Sequence, residues 1–257
     1  MCRRFMKKSI ILGFLTIVIA ISSCDYYSVN SHYKVIAHRG YWKMSDGADN
    51  SIMSLKEAAR LGVDGVELDI CKTKDDSLVV LHGMYHGDYY IPETDYNVLR
   101  TIKLSNGEEI PTFREYMAEA SKHNITYFLD IKAPDIEIEL FQILYQYGCQ
   151  YKAKIECSSY ETGEQLLAMD SNLYLVYTQN DKSPSELKSK GFRCIHAEIK
   201  DWKNRLDIIK EAKAVGLELS AWIVKSESDI IWCASNGIDY LIADNPLEAI
   251  QFRSNYE

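Results

Sequence analysis

The chain has 257 residues, of which 47% are hydrophobic, so it is long enough to bury one large core. Its formal net charge of −8 argues against a nucleic-acid-binding surface, because such surfaces carry an excess of basic residues. Any positive charge that binds an anionic substrate must therefore be concentrated locally in a few Arg and Lys side chains or supplied by a metal ion.

The first 24 residues have the pattern of a bacterial export signal. Four basic residues precede an apolar run over 10–21, which is shorter than the roughly 20 residues of a membrane span. The following Ser22-Ser23-Cys24 resembles a lipoprotein signal-peptide site. This resemblance implies that residues 1–23 are removed, that Cys24 is lipidated, and that the protein is a lipoprotein anchored in the cell envelope, on the periplasmic side or at the cell surface. An uncleaved anchor is the alternative.

Loss of residues 1–23 would remove four basic residues and no acidic one, so the formal net charge would change from −8 to −12. Residues 24–33 are polar and aromatic and are predicted to form a tether. Residues 34–257 are predicted to form a single domain. The membrane is therefore an expected partner through the lipid anchor, whereas nucleic acid is not.

Short apolar runs alternate with amphipathic segments throughout residues 34–257. Several amphipathic segments, including 51–61 and 136–147, are followed by a glycine suited to a helix end. Eight β–α units predict an α/β protein with a TIM (β/α)8 barrel, although a doubly wound open sheet has the same alternation. The predicted strands are 35–38, 65–70, 126–131, 154–158, 173–177, 194–198, 218–224 and 240–243.

One segment interrupts this alternation after the second strand. After the apolar run 78–82, residues 83–112 are polar and rich in tyrosine, with turn residues at Pro92, Asn106-Gly107 and Pro111. We predict that 83–112 is a small insertion. On a barrel it would lie over the functional face, because the loops that follow the strands build that face.

Two strands carry acidic residues where a buried strand would not normally tolerate them. Glu67 and Asp69 are two positions apart, so their side chains point to the same side of the sheet. A divalent cation would relieve their repulsion, and oxygen ligands favour Mg²⁺ or Ca²⁺. Asp130 could complete this site, and Lys132 could bind a phosphate oxygen or simply neutralise Asp130. The alternative for the first pair is a strand end whose acids face solvent.

Two histidines end apolar runs. His38 is followed by Arg39 and Gly40. A guanidinium can bind an anion, and an adjacent imidazole can transfer protons to or from it. His82 ends its run in the same way, so the two histidines are a candidate acid–base couple. The four other histidines are predicted to have surface or core roles: His32, His86, His123 and His196.

Taken in order, these motifs resemble the glycerophosphodiester phosphodiesterase family over residues 35–250. The motifs are His38-Arg39-Gly40, Asp49-Asn50-Ser51, Glu67-Leu68-Asp69, Val79-Val80-Leu81-His82, Ile110-Pro111-Thr112, Asp130-Ile131-Lys132, Ala221-Trp222-Ile223-Val224 and Ala243-Asp244-Asn245-Pro246. The resemblance implies a TIM barrel with an insertion after the second strand. It also implies metal-dependent hydrolysis of a glycerophosphodiester, a small-molecule substrate, to glycerol 3-phosphate and an alcohol.

The resemblance also assigns roles to nine residues of this sequence. It implies that Glu67, Asp69 and Asp130 bind the metal, that His38 and His82 are base and acid, that Arg39 and Lys132 contact phosphate, that Asn50 shapes the site, and that Trp222 lines the glycerol end. The nucleophile stays open between water and the glycerol 2-hydroxyl, since intramolecular attack can lower a barrier by about 7–11 kcal/mol.

Three positions depart from the family pattern, which usually has Glu at Asp49, Asp at Gly83 and Glu at Asp130. Two other functions are compatible with these departures. One is a catalytically silent, lipid-anchored binding protein on the same barrel. The other is a phosphodiesterase that acts on a lipid headgroup or an envelope glycan.

Overall fold

The computed structural model describes residues 32–255, in which eight parallel strands close into a barrel. The strands in chain order are β1 (Lys34–Ala37), β2 (Gly65–Lys72), β3 (Leu78–Val80), β4 (Tyr85–His86), β5 (Tyr89–Tyr90), β6 (Thr126–Ile131), β7 (Ala153–Cys157), β8 (Tyr174–Tyr177), β9 (Cys194–Glu198), β10 (Glu218–Val224) and β11 (Tyr240–Ala243). The barrel order is β1-β2-β6-β7-β8-β9-β10-β11, and β11 pairs with β1. The predicted TIM barrel is confirmed, and the open-sheet alternative is wrong.

Helices follow the barrel strands and cover the outside of the barrel. They are α1 (Ile52–Leu61), α2 (Tyr96–Leu99), α3 (Phe113–Ala120), α4 (Glu137–Gln146), α5 (Tyr160–Met169), α6 (Pro184–Ser189), α7 (Ile199–Lys203), α8 (Leu206–Ala214), α9 (Glu227–Ser235) and α10 (Pro246–Ser254). Thr112 and Ser183 begin α3 and α6 with capping boxes, in which the hydroxyl accepts from a backbone N–H three residues later. Gly62 ends α1 in the left-handed conformation.

The inside of the barrel is apolar at mid-height and polar at both ends. Ile36, Phe128, Val176, Cys194 and Ile242 form part of the buried middle layer. Inward-facing polar side chains lie above it at the carboxyl ends of the strands and below it at the amino ends. This layering separates the functional end of the barrel from its floor.

The floor of the barrel holds a buried lysine among aromatic rings, which we call the floor cluster: Lys154, Tyr174, Glu218 and Tyr240. Lys154 Nζ lies 3.2 Å from the ring centre of Tyr174 and 4.6 Å from that of Tyr240. Both tyrosine hydroxyls donate to Glu218. Burial lowers the pKa of Lys154 to about 8.

The insertion after the second barrel strand has its own small core. β3 pairs antiparallel with the end of β2, β4 and β5 form a hairpin, and a 3-10 helix (Ile91–Glu93) and α2 follow. Ile91, Leu99, Leu104 and Ile110 pack against side chains of β2 and β3. The insertion is therefore fixed at the carboxyl end of β2, on the functional side of the barrel.

The predicted signal peptide, the lipidated Cys24 and residues 24–31 of the predicted tether lie outside the described residues. Tyr33 is buried, and its hydroxyl donates to the carbonyl of Ala249 over 2.9 Å. Within residues 32–255, no helix combines the length and the hydropathy needed to cross a bilayer.

Candidate active site

A cavity of about 370 Å³ lies at the carboxyl ends of the barrel strands. Active sites of TIM barrels form at this end, where loops from different strands converge. Eight of the nine site residues predicted within the described chain line the cavity: His38, Arg39, Glu67, Asp69, His82, Asp130, Lys132 and Trp222. The ninth, Asn50, is fully buried beside Asp69.

His38 follows β1 and is oriented by an acid from the far end of the sequence. Its Nδ1 lies 2.7 Å from Oδ1 of Asp244, which follows β11. Burial opposes ionisation of Asp244, but hydrogen bonds from His38 and Lys43 hold its pKa at about 2. An ionised Asp244 accepts a hydrogen bond from Nδ1–H, which leaves the lone pair on Nε2. Nε2 lies 3.9 Å from Oε2 of Glu67, inside the site.

Arg39 contacts two of the predicted metal ligands with different parts of the residue. Its backbone N–H donates to Oε2 of Glu67 over 3.0 Å. Its Nε lies 3.1 Å from Oδ2 of Asp69, an ion pair whose angle falls outside hydrogen-bond geometry, so Nε has no hydrogen-bond partner among residues 32–255. A half-buried guanidinium whose buried Nε–H is unused is well suited to an anionic ligand.

Asn50 holds Asp69 through two hydrogen bonds. Its Nδ2 donates to Oδ2 of Asp69 over 2.9 Å, and its Oδ1 accepts from the Asp69 backbone N–H over 3.2 Å. Asn50 adopts a left-handed backbone conformation with φ of 60°, which asparagine tolerates better than most residues. The loop before α1 therefore fixes the orientation of one carboxylate at the end of β2.

Three carboxylates converge in the cavity with the geometry of a cation site. Glu67, Asp69 and Asp130 each offer one oxygen, and these oxygens lie within 4.8 Å of one another. Burial raises the pKa of Glu67, and the charges of Asp69, Glu156 and Asp130 raise it further. Such a buried cluster is stable in its ionised form only when a cation joins it. The donor set, all oxygen, fits a hard divalent ion.

Lys132 lies between two of these acids. Its Nζ bonds to Oδ2 of Asp130 and lies 3.5 Å from Oδ1 of Asp69. The ion pair with Asp130, one of the two roles predicted for Lys132, is therefore present, and the ammonium group also lines the cavity. It has two further hydrogens available for a bound anion.

His82 lies in the loop after β3 and is the more exposed of the two predicted catalytic histidines. Burial lowers its pKa, and Arg39 and Lys132 add to this effect, whereas Asp69 opposes it. A phosphodiester anion in the cavity would also oppose it, because negative charge stabilises the imidazolium.

Comparison with known proteins agrees with this geometry. The model of the glycerophosphoryl diester phosphodiesterase family matches residues 38–144. A glycerophosphodiester phosphodiesterase of Caldanaerobacter subterraneus subsp. tengcongensis is 25% identical over 233 residues, covering 82% of this chain and 94% of that protein. The crystal structure of a glycerophosphodiester phosphodiesterase from Parabacteroides distasonis superposes with a TM-score of 0.83 at 28% identity, covering 87% of this chain and 98% of that one.

The chain resembles the glycerophosphodiester phosphodiesterase family in sequence and in fold. The predicted resemblance is thus confirmed, and the protein is a phosphoric diester hydrolase. A more distant neighbour is an Oleispira antarctica phosphodiesterase, whose structure was solved in complex with the product sn-glycerol-3-phosphate. It shares the fold, with a TM-score of 0.76 at 20% identity and coverage of 86% of this chain and 96% of that one.

Three residues of this phosphodiesterase belong to the site without having been assigned to it from sequence. Asp244 orients His38, although its motif was part of the resemblance. Glu156 and His196 line the cavity from β7 and β9. His196 was predicted to have a surface or core role; it is buried, with Nδ1 2.9 Å from Oγ of Ser220 and its ring stacked on Trp222. A polar residue at an inward position of an otherwise buried strand was the available signal in both cases.

The structure shows what surrounds each of the three residues that depart from the family pattern. Asp49 lies at the edge of the site, with Oδ2 3.8 Å from an Arg39 terminal nitrogen. Gly83 has φ of 91° and open space where a side chain would begin. Asp130 keeps its place beside Asp69 and Lys132 despite its short side chain.

Proposed function

We propose that this enzyme hydrolyses a glycerophosphodiester to glycerol 3-phosphate and an alcohol, with a divalent cation and two histidines. The observation that carries the proposal is the convergence of Glu67, Asp69, Asp130, His38 and Arg39 in one cavity at the carboxyl end of the barrel. Acidic side chains that could hold a cation lie beside a basic side chain that could bind an anion. This combination suits an anionic substrate that reacts at phosphorus.

Glu67, Asp69 and Asp130 would hold the cation, which when bound would supply positive charge to the phosphoryl oxygens. The enzyme's own cations complete this electrostatic environment. Arg39 Nε and the free hydrogens of Lys132 would bind the same oxygens and offset the charge that develops on them. Asn50 would keep Asp69 in place throughout the reaction.

Proton transfer would be divided between the two histidines. His38 would take a proton on Nε2 from the attacking hydroxyl, because Asp244 keeps the other ring nitrogen protonated and stabilises the imidazolium that forms. His82 would donate a proton to the leaving alcohol oxygen from the more exposed side of the cavity. Trp222 would line the glycerol end, where it already stacks on His196.

The attacking hydroxyl belongs either to water or to the 2-hydroxyl of the substrate glycerol. A 2-deoxy analogue of the substrate separates the two. Attack by the 2-hydroxyl forms a cyclic phosphate as the alcohol leaves, so the analogue would not turn over and cyclic glycerol phosphate would be detected with the natural substrate. Attack by water would leave turnover of the analogue measurable and give no cyclic product.

Turnover with and without cation tests the proposal as a whole. Glycerophosphocholine, glycerophosphoethanolamine, glycerophosphoinositol and lysophospholipids are to be assayed with Mg²⁺ or Ca²⁺, before and after exhaustive treatment with EDTA. We expect release of glycerol 3-phosphate from at least one glycerophosphodiester, its loss on chelation and its recovery when cation is returned. Activity that survives chelation would rule out the cation site. Turnover of lysophospholipids alone would favour a lipid-headgroup substrate, and turnover of none would favour an envelope glycan.

We also propose that the enzyme is a lipoprotein anchored in the cell envelope through Cys24. The basic start, the short apolar run and the Ser22-Ser23-Cys24 sequence support this location. In cells expressing the full chain, we expect incorporation of labelled fatty acid and recovery with the membranes.

Replacement of the lipidated residue, Cys24→Ala, should abolish fatty-acid incorporation. If the segment before Cys24 is an uncleaved anchor, the variant would stay in the membrane fraction and the wild type would carry no label. That result would contradict the lipoprotein assignment.

A further inference from the structure

Glu156 is a buried carboxylate that the proposed mechanism does not use. It lies on β7, is 7% exposed and lines the active-site cavity. Its Oε1 has no hydrogen-bond partner among residues 32–255, and the nearest imidazole nitrogen, Nε2 of His196, is 3.8 Å away. An unpaired carboxylate oxygen in a buried site is costly unless something binds to it.

The position of Glu156 relates it to the predicted cation ligands. β6 and β7 run in parallel with Leu129 opposite Ile155, so Asp130 and Glu156 are adjacent inward-facing residues on neighbouring strands. Glu156 therefore faces the same volume as the three acids, although its oxygens lie outside the set that approaches within 4.8 Å.

The charge balance of the cavity also points to a cation. The four carboxylates Glu67, Asp69, Asp130 and Glu156 are opposed by only two permanently charged cationic side chains, Arg39 and Lys132, which leaves a formal charge of −2. One divalent ion would balance it. His196 contacts Ser220 through Nδ1, so its Nε2 is free to donate to Glu156 and hold it towards the ion, as outer partners of metal ligands commonly do.

We propose that Glu156 is the fourth carboxylate of the cation site. Asp130 is a weak ligand because its side chain is short and is paired with Lys132, and Glu156 compensates for this weakness. The inference rests on the proposed function, because it requires that a cation binds between Glu67, Asp69 and Asp130. We expect four carboxylates to bind the cation with higher affinity than three carboxylates of which one is bonded to Lys132.

The test is cation affinity, which is measured without substrate. Glu156→Gln keeps the size of the side chain and removes its charge. Isothermal titration of the purified chain with Mg²⁺, Ca²⁺ and Mn²⁺ should give a Kd about 10- to 100-fold higher for E156Q than for the wild type. Glu198→Gln is the matched control: Glu198 also lies at the carboxyl end of a barrel strand, but it pairs with Lys200 and does not line the cavity. E198Q should bind cation as the wild type does.

Thermal unfolding provides a second measurement that separates this role from simple packing. Without cation, E156Q should unfold at the same or a higher temperature than the wild type, because one buried like charge has been removed. Cation should then raise the unfolding temperature less in E156Q than in the wild type, because a ligand stabilises according to its affinity. A variant that is less stable without cation and is stabilised by cation to the wild-type extent would overturn the proposal.

The outcomes distinguish failure of this inference from failure of the proposed function. Equal cation affinity in E156Q and the wild type would refute the inference while leaving the three-carboxylate site intact. Equal affinity with a raised KM would place Glu156 against the substrate instead. A wild type that binds no cation would refute the proposed cation site itself, and the role of Glu156 with it.

Discussion

At the scale of single residues, the site depends on partners that are distant in sequence. His38 and Asp244 are 206 positions apart, yet Nδ1 and Oδ1 lie 2.7 Å apart because β1 and β11 are neighbours in the closed barrel. Asn50 and Asp69 are linked in the same way across a loop and a strand. His38 and Asp69 are thus each oriented by a residue from another element, which limits their freedom before substrate binds.

The two histidines give the first prediction at this scale. Replacement of either one, His38→Ala or His82→Ala, should lower kcat by about 10²–10⁴-fold, because each variant loses a proton-transfer group. His123→Ala is the control, since His123 contacts Glu119 and does not line the cavity. Steady-state kinetics on a glycerophosphodiester that the wild type turns over provides the measurement. Near-native kcat in either cavity variant would remove that histidine from the mechanism.

At the scale of elements, strand ends and the turns after them position the chemistry. The turn after β1 contains Arg39 with φ of 58° and Gly40 with φ of 81°, both left-handed. This turn aims the Arg39 backbone N–H at Glu67 and packs Gly40 against Ser54 at the start of α1. A glycine is required there for two reasons, the positive φ and the close approach of the helix.

Gly40→Ala should therefore destabilise the enzyme and misplace His38 and Arg39. The new Cβ would lie 2.5 Å from Ser54 Oγ and 2.8 Å from the Ser54 carbonyl carbon, in addition to a backbone cost of about 1–2 kcal/mol. Gly107→Ala is matched in backbone conformation, with φ of 86°, but has open space around the Cβ position. Urea denaturation should show a clearly larger loss of unfolding free energy for G40A than for G107A. Equal losses would mean that the contact with Ser54 is accommodated without strain.

At the scale of the whole molecule, the barrel keeps its two polar ends apart by a buried apolar layer. The upper end holds the acids of the site, and the floor cluster at the lower end holds Lys154 between Tyr174 and Tyr240. Neither end is a usual place for charge, and it is the upper end that lines the cavity of the candidate active site. The floor lysine therefore affects stability rather than catalysis.

The floor cluster predicts an unusual dependence of stability on pH. The pKa of Lys154 is about 8 in the folded protein against 10.5 for an unperturbed lysine, so the unfolded chain binds more protons between these values and stability rises with pH across them. The full difference corresponds to roughly 3 kcal/mol. Lys154→Met removes the titrating group and therefore the cost of keeping it charged in the folded protein. K154M should have a higher unfolding free energy than the wild type at pH 7.5, and this difference should be smaller at pH 10.

Urea denaturation at a series of pH values measures this advantage, and Lys210→Met, at an exposed position of α8, is the control. K210M should keep a constant difference from the wild type. A K154M curve that stays parallel to the wild-type curve would show that Lys154 titrates normally in the folded protein.

The sequence by itself determined the barrel and most of its active site. Alternation of buried strands and amphipathic helices predicted eight β–α units, and ordered short motifs predicted the family and eight residues that line the cavity. These features are local, because strand and helix periodicity and motif identity can be read within a few residues. Only the tertiary structure decided the contributions of Asp244, Glu156 and His196. Their roles arise from closure of the barrel, which brings the inward faces of β7, β9 and the end of β11 towards β1 and β2 and converts ordinary polar residues into neighbours of one buried site.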